Sequence, residues 1–171
     1  MRRPRRLEIE PWLAAAAGLV SALVVQTAFI PGLLPGVSGI EPVFGLAMCL
    51  AVLGHKTEAL MTALAGGLAL DALTGQYIGL NALSLSTVVL VAFALQKNLV
   101  KETLVAPAAM MFGGYVLKEL IYLFVLISMG LKLIPARVVA QLAISAVLNM
   151  LLGSAMYWLL HFRLGVRVKV D

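Results

Sequence analysis

GLALDALTGQYIGLNAL, residues 67–83, carries Asp71 inside an apolar helical pattern, breaks at a tight turn bounded by Gly75 and Gly79, and resumes as a second apolar helix. A carboxylate at membrane depth is costly and needs a structural or functional reason. The surrounding composition says which kind of protein tolerates it. Of 171 residues, 62% are hydrophobic and 12% charged, and apolar runs recur from end to end. The expected class is an all-α, polytopic membrane protein.

A hydrocarbon core of ~30 Å takes about 20 helical residues to cross. Six apolar segments approach that length: 12–30, 42–54, 59–74, 78–96, 103–128 and 138–162. The second is the shortest and is separated from the third only by His55, Lys56, Thr57 and Glu58. Positive charge decides the crossing number, because Lys and Arg accumulate on cytoplasmic loops. Six crossings with a cytoplasmic N-terminus put Arg2, Arg3, Arg5, Arg6, Lys56, Lys97, Lys101, Arg163, Arg167 and Lys169 inside, and Lys132 and Arg137 outside. Omitting the second crossing divides the same residues evenly. The expected layout is a basic cytoplasmic segment 1–11, a six-helix transmembrane domain 12–162 and a cytoplasmic tail 163–171.

The net charge of +5 then reads as topology signals and anionic-lipid contacts, because the basic residues are dispersed through short loops. Nucleic acid is not an expected partner. The apolar run after MRRPRR exceeds a signal-peptide h-region, so an uncleaved first helix is expected. A single cysteine, Cys49, excludes an intrachain disulfide and a multi-thiolate metal site. His55 and His161 fall at expected helix ends without metal-ligand spacing. No nucleophile motif or phosphate loop is present, Asp71 is the only aspartate expected within the membrane, and the expectation is a protein without enzymatic activity or cofactor.

Small and polar residues inside the helices carry the remaining information. Ala63, Gly67, Asp71 and Gly75 share one face of the third helix, and Met110, Gly114 and Lys118 one face of the fifth, with Glu119 turned ~100° away. Glycines four residues before Asp71 and Lys118 open room for close approach, so a pairing of Asp71 with Lys118 is expected, with Glu119 needing a different neighbour. Asn149 joins these three as an expected buried polar core. Gly66, Gly67, Gly75, Gly79, Gly113 and Gly114 are assigned to helix packing. Gln141, Ser145, Asn149, Gly153, Tyr157 and His161 form a stripe along the sixth helix, open to two readings: interhelical hydrogen bonding or a ligand-lining face. Partner contacts are expected at Ala14, Gly18 and Ala22 on the first helix. A second candidate is the outer segment 31–41, where Leu33, Leu34, Val37 and Ile40 are apolar among two prolines and three glycines. Those apolar residues serve equally well as an interfacial lipid anchor.

The pattern Gly67-x-x-x-Asp71-x-x-Thr74-Gly75-x-x-x-Gly79-x-x-Ala82, preceded by Glu41-Pro42 and an apolar run ending near Gly54, resembles the MreD family of bacterial rod shape-determining membrane proteins. The resemblance implies a six-helix fold similar to the substrate-binding components of energy-coupling vitamin transporters. It also implies a bacterial inner membrane as the location, and a non-enzymatic scaffold of the cell-elongation complex that builds peptidoglycan. The implied partners are an MreC-like single-pass protein and, through it, the MreB filament and the RodA and transpeptidase cell-wall synthases. Lys118 and Glu119 lie outside the resemblance. The alternative function is a substrate-binding membrane subunit of a vitamin transporter, with a ligand held near Asp71, Lys118 and Glu119.

Overall fold

The structure, a computed structural model, describes residues 10–33, 39–75, 77–99, 105–130 and 135–163. These residues form six helical rods and no strand. The first, α1, starts at Pro11, runs Pro11–Val24, widens into a π-helical stretch Val25–Phe29 and ends as Ile30–Leu33. Then follow α2 (Pro42–Val52), α3 (Lys56–Thr74), α4 (Leu80–Leu99), α5 (Val105–Ser128) and α6 (Pro135–Trp158), the last extended by a π-helical turn Leu159–Arg163. Proline occupies the first turn of α1 and α2, where its missing N–H costs no helical hydrogen bond.

The shortest of these, α2, is the centre of the molecule. All eleven of its residues are buried, and α1, α3, α4, α5 and α6 pack around it. A helix apolar on every side has no solvent face to present, and this one forms the axis of the core. Its length of about 16 Å falls well short of a hydrocarbon core. A buried short helix leaves main-chain groups unpaired at both ends, and other helices satisfy them. The Gln26 side-chain oxygen accepts from Val43 N at 3.2 Å, the Asn149 oxygen accepts from Glu41 N at 2.8 Å, and Gln96 Nε2 donates to the Val52 carbonyl at 3.1 Å.

The expected boundary between the second and third segments moves. His55-Lys56-Thr57-Glu58 does not separate two helices: Lys56 already opens α3, and the connection shrinks to Leu53, Gly54 and His55. Gly54, at φ 85°, makes so short a reversal feasible. Among the described residues, two helical stretches, Ala106–Ser128 and Val138–His161, are long and apolar enough to cross a membrane.

The expected packing glycines divide into two groups. A Cβ on Gly66 would meet Val43 Cγ1 at 2.5 Å, one on Gly67 would run into the backbone of Asn81 and Ala82, and one on Gly114 would meet Met48 Cε at 2.8 Å. These three do permit close helix contact. Gly75, Gly79 and Gly113 do not, because nothing lies within 4 Å of a Cβ built there. Gly75 (φ 64°) and Gly79 (φ 93°) are instead needed for the left-handed backbone of the α3–α4 turn, and Gly113 faces outward.

Candidate functional site

Asp71 lies in the last turn of α3, where its own helix dipole disfavours an anion. The next helix compensates. Its carboxylate accepts hydrogen bonds from Gly79 N at 2.8 Å, Asn81 N at 3.1 Å and Asn81 Nδ2 at 2.8 Å, with Ala82 N further off at 3.4 Å. Those main-chain donors belong to the N-cap and first turn of α4, the groups every helix leaves unpaired. Asp71 is therefore a capping residue supplied from the preceding helix, 1% exposed. Gly67, one turn earlier on α3, lets the α4 backbone come close enough for that reach.

The expected pairing of Asp71 with Lys118 is corrected by this geometry. The carboxylate is occupied by the α4 N-terminus, and Lys118 has other partners. Lys118 Nζ lies 2.5 Å from Glu41 Oε1 and 3.0 Å from Glu119 Oε1. Glu119 is thus a neighbour of Lys118 and not a separately partnered charge: the long lysine chain bends across the ~100° that separates adjacent helical positions. Lys118 is 3% exposed, Glu41 15% and Glu119 23%. The rings of Tyr115 and Tyr122 lie 5.7 and 5.8 Å from Nζ by their centroids, within range of a cation–π contact.

Asn149 fixes the position of Glu41. Its oxygen accepts from Glu41 N, and its amide donates to Gly39 O and, at 2.9 Å, to Ser145 O on its own helix. Gly39 has φ 107°, and a Cβ there would collide with the Ser145 side chain. The approach to α2 is consequently held against α6 through the main chain and against α5 through the Glu41 side chain.

Beside the cluster lies a cavity of about 490 Å³. Glu41, Lys118 and Glu119 line it together with Gln26, Asn81 and Gln141, and Leu123 and Leu142 contribute apolar wall. Asn81 belongs to both centres, because its side-chain amide bonds Asp71 and the residue lines the cavity. Among the described residues, no three His, Cys, Asp or Glu side chains are grouped to hold a metal ion.

The other expected positions fall as follows. Gln141 and Ser145 border the cavity, Gly153 O accepts from Cys49 Sγ at 3.2 Å, and Tyr157 stacks on His161 at 5.7 Å between ring centroids. The sixth-helix stripe thus serves both hydrogen bonding and cavity lining, at different heights. On α1, Ala22 is buried and a Cβ on Gly18 would touch Leu46 Cδ2 at 3.0 Å, so part of this small-residue face packs on the chain's own α2. Ile40 is half-buried ahead of α2. Leu34 and Val37 lie outside the described residues, as do the side chains of Ala14 and Leu33.

Glu41 is the site residue that sequence reading did not assign. A carboxylate at the mouth of an apolar run, beside a helix-opening proline, was the available signal. Comparison with family models, with curated proteins and with solved structures gave no match for this chain.

Proposed function

We propose that this chain is a non-enzymatic, six-crossing scaffold of the bacterial cytoplasmic membrane, with both termini cytoplasmic, that acts in cell elongation in the manner of MreD-like proteins. It would bind an MreC-like single-pass protein and connect it to the RodA and transpeptidase synthases and, indirectly, to the MreB filament. Its basic loops would rest on anionic lipid headgroups.

The observation that carries this reading is the use made of the residues in the MreD-like pattern. Gly67, Asp71, Gly75 and Gly79 join α3 to α4 through main-chain contacts. They are engaged in holding a shape, as a scaffold requires. Membrane residence is supported by the distribution of polarity: Asp71, Lys118 and Asn149 are buried, while Phe124, Met61, Leu73 and Val139 are exposed. Lipid is the solvent that accepts such a surface.

The test is recovery of the tagged chain from its native membrane in mild detergent, with co-purifying proteins identified by mass spectrometry. The expected companions are a single-pass protein with an extracytoplasmic domain and cell-wall synthases. ATPase subunits in their place would support the second reading, a substrate-binding subunit of a vitamin transporter. That reading is favoured by the cavity, whose volume lies within the range of ligand sites.

A further inference from the structure

We propose that the cavity lined chiefly by α5 and α6, and closed by Gln26, Glu41, Thr74 and Asn81 from the rest of the chain, is a binding site for a small organic cation, a molecule whose ammonium group sits on the Glu119 carboxylate. The inference is independent of the cell-elongation reading, since a scaffold and a transporter could each hold such a ligand.

Charge selects the ligand class. The cavity wall carries two carboxylates, Glu41 and Glu119, and one ammonium, Lys118, for a formal excess of one negative charge. Lys118 is buried, bonded to both carboxylates within 3.0 Å and flanked by two tyrosine rings, so its charge is already shared between two anions. An anionic ligand would find no uncommitted cation there. Asp71 adds no demand, because the α4 N-terminus already balances it. Glu119 is the more exposed carboxylate, and the lysine engages its Oε1, so Oε2 is the oxygen available to a ligand.

Size and lining select further. A volume of about 490 Å³ suits an organic molecule and far exceeds a dehydrated metal ion, which would also need several convergent oxygen ligands. Gln26, Asn81 and Gln141 make the wall around the charge polar, and Leu123 and Leu142 give it an apolar face. An ammonium compound with a short polar or aliphatic body fits that arrangement. Such a group can arrive as a free amine or as the headgroup of an ethanolamine lipid.

The test uses the full chain in detergent and follows its melting temperature against ethanolamine and choline, with ethylene glycol and inorganic phosphate as uncharged and anionic controls. Ammonium probes are expected to raise the melting temperature saturably, and the controls are not. Glu119→Gln should weaken the apparent affinity about tenfold or more. Leu142→Trp, which adds bulk to the apolar wall of the cavity, should abolish the response in a chain whose charges are all retained. No response to either ammonium probe, an equal response to phosphate, or a response that survives Leu142→Trp overturns the proposal. Repeating the titration in phosphatidylglycerol nanodiscs with and without phosphatidylethanolamine identifies the source: a lipid headgroup site loses its response to free ethanolamine when that lipid is present, and a free-amine site keeps it. A negative result would leave the co-purification outcome unaffected, so site and scaffold fail separately.

Discussion

The protein buries charge in two centres that solve the same problem in opposite ways. At the α3–α4 turn, Asp71 is neutralised by donors only 8 to 11 residues away, nearly all of them main chain. At the cavity, Lys118 reaches Glu41 across 77 residues of sequence, and the bond joins two side chains. The first centre can close as soon as two neighbouring helices meet; the second requires α2, α5 and α6 to be in place. A carboxylate answered by a helix N-terminus is a local device. An ion pair between distant segments reports that α2, α5 and α6 have come together.

The sharpest way to break this contrast is at the distant centre. Lys118→Met leaves two carboxylates without their cation and should lower stability by about 3–5 kcal/mol, measured by denaturant unfolding in detergent. Adding Glu41→Gln to that variant should restore part of the loss, whereas adding Asp71→Asn should not. Strong coupling between Lys118 and Asp71 in such a double-mutant cycle would contradict the separation of the two centres. Next in size is the local lock, where Gly67→Ala pushes a methyl group into the α4 backbone. It should cost about 3 kcal/mol, with the α3–α4 turn becoming the first site of proteolysis. A loss spread evenly over the chain would show that the lock is not local.

Asn149→Ala should destabilise by about 1–3 kcal/mol, because Glu41 N and Gly39 O lose their partner together. Its effect should shrink in the Lys118→Met background, since both substitutions release the same end of α2. The smallest expected effect has the opposite sign. Gly113→Ala, on the open side of α5, should leave the fold unchanged or stabilise it by up to about 1 kcal/mol. A marked loss there would reveal a contact made by Gly113 that the isolated chain lacks.

The local centre was far more legible in the sequence than the distant one. Gly67, Asp71, Gly75 and Gly79 stand within thirteen residues, and their spacing alone marks a close approach followed by a tight turn. What spacing could not supply was the partner of Asp71. A main-chain N–H has no residue identity, whereas the glycine four residues before Lys118 matches the one before Asp71, and that shared spacing points to the wrong partner. The same limit explains the glycines: Gly67 and Gly75 look alike in a four-residue register, yet one accommodates a neighbouring backbone and the other adopts a left-handed φ. Glu41 shows in the sequence only as a carboxylate beside Pro42 at the mouth of an apolar run; its partners come from α5 and α6, which residues 39–43 do not encode. The all-helical character followed from apolar run lengths. An apolar run does not by itself distinguish an outward-facing helix from one enclosed by others, and α2 is enclosed.

Asn149 has a mechanical consequence. It grips the chain on both sides of Ile40, at Gly39 O and at Glu41 N, and the next grip along the same chain is the Glu41–Lys118 ion pair. Gly39, Glu41 and Ser145 all line the cavity, so this one amide side chain ties together three residues of its wall. Asn149 is in this sense a clasp: it pins the stretch of chain entering α2 to α6 at the edge of the cavity, and the shape of that edge depends on it.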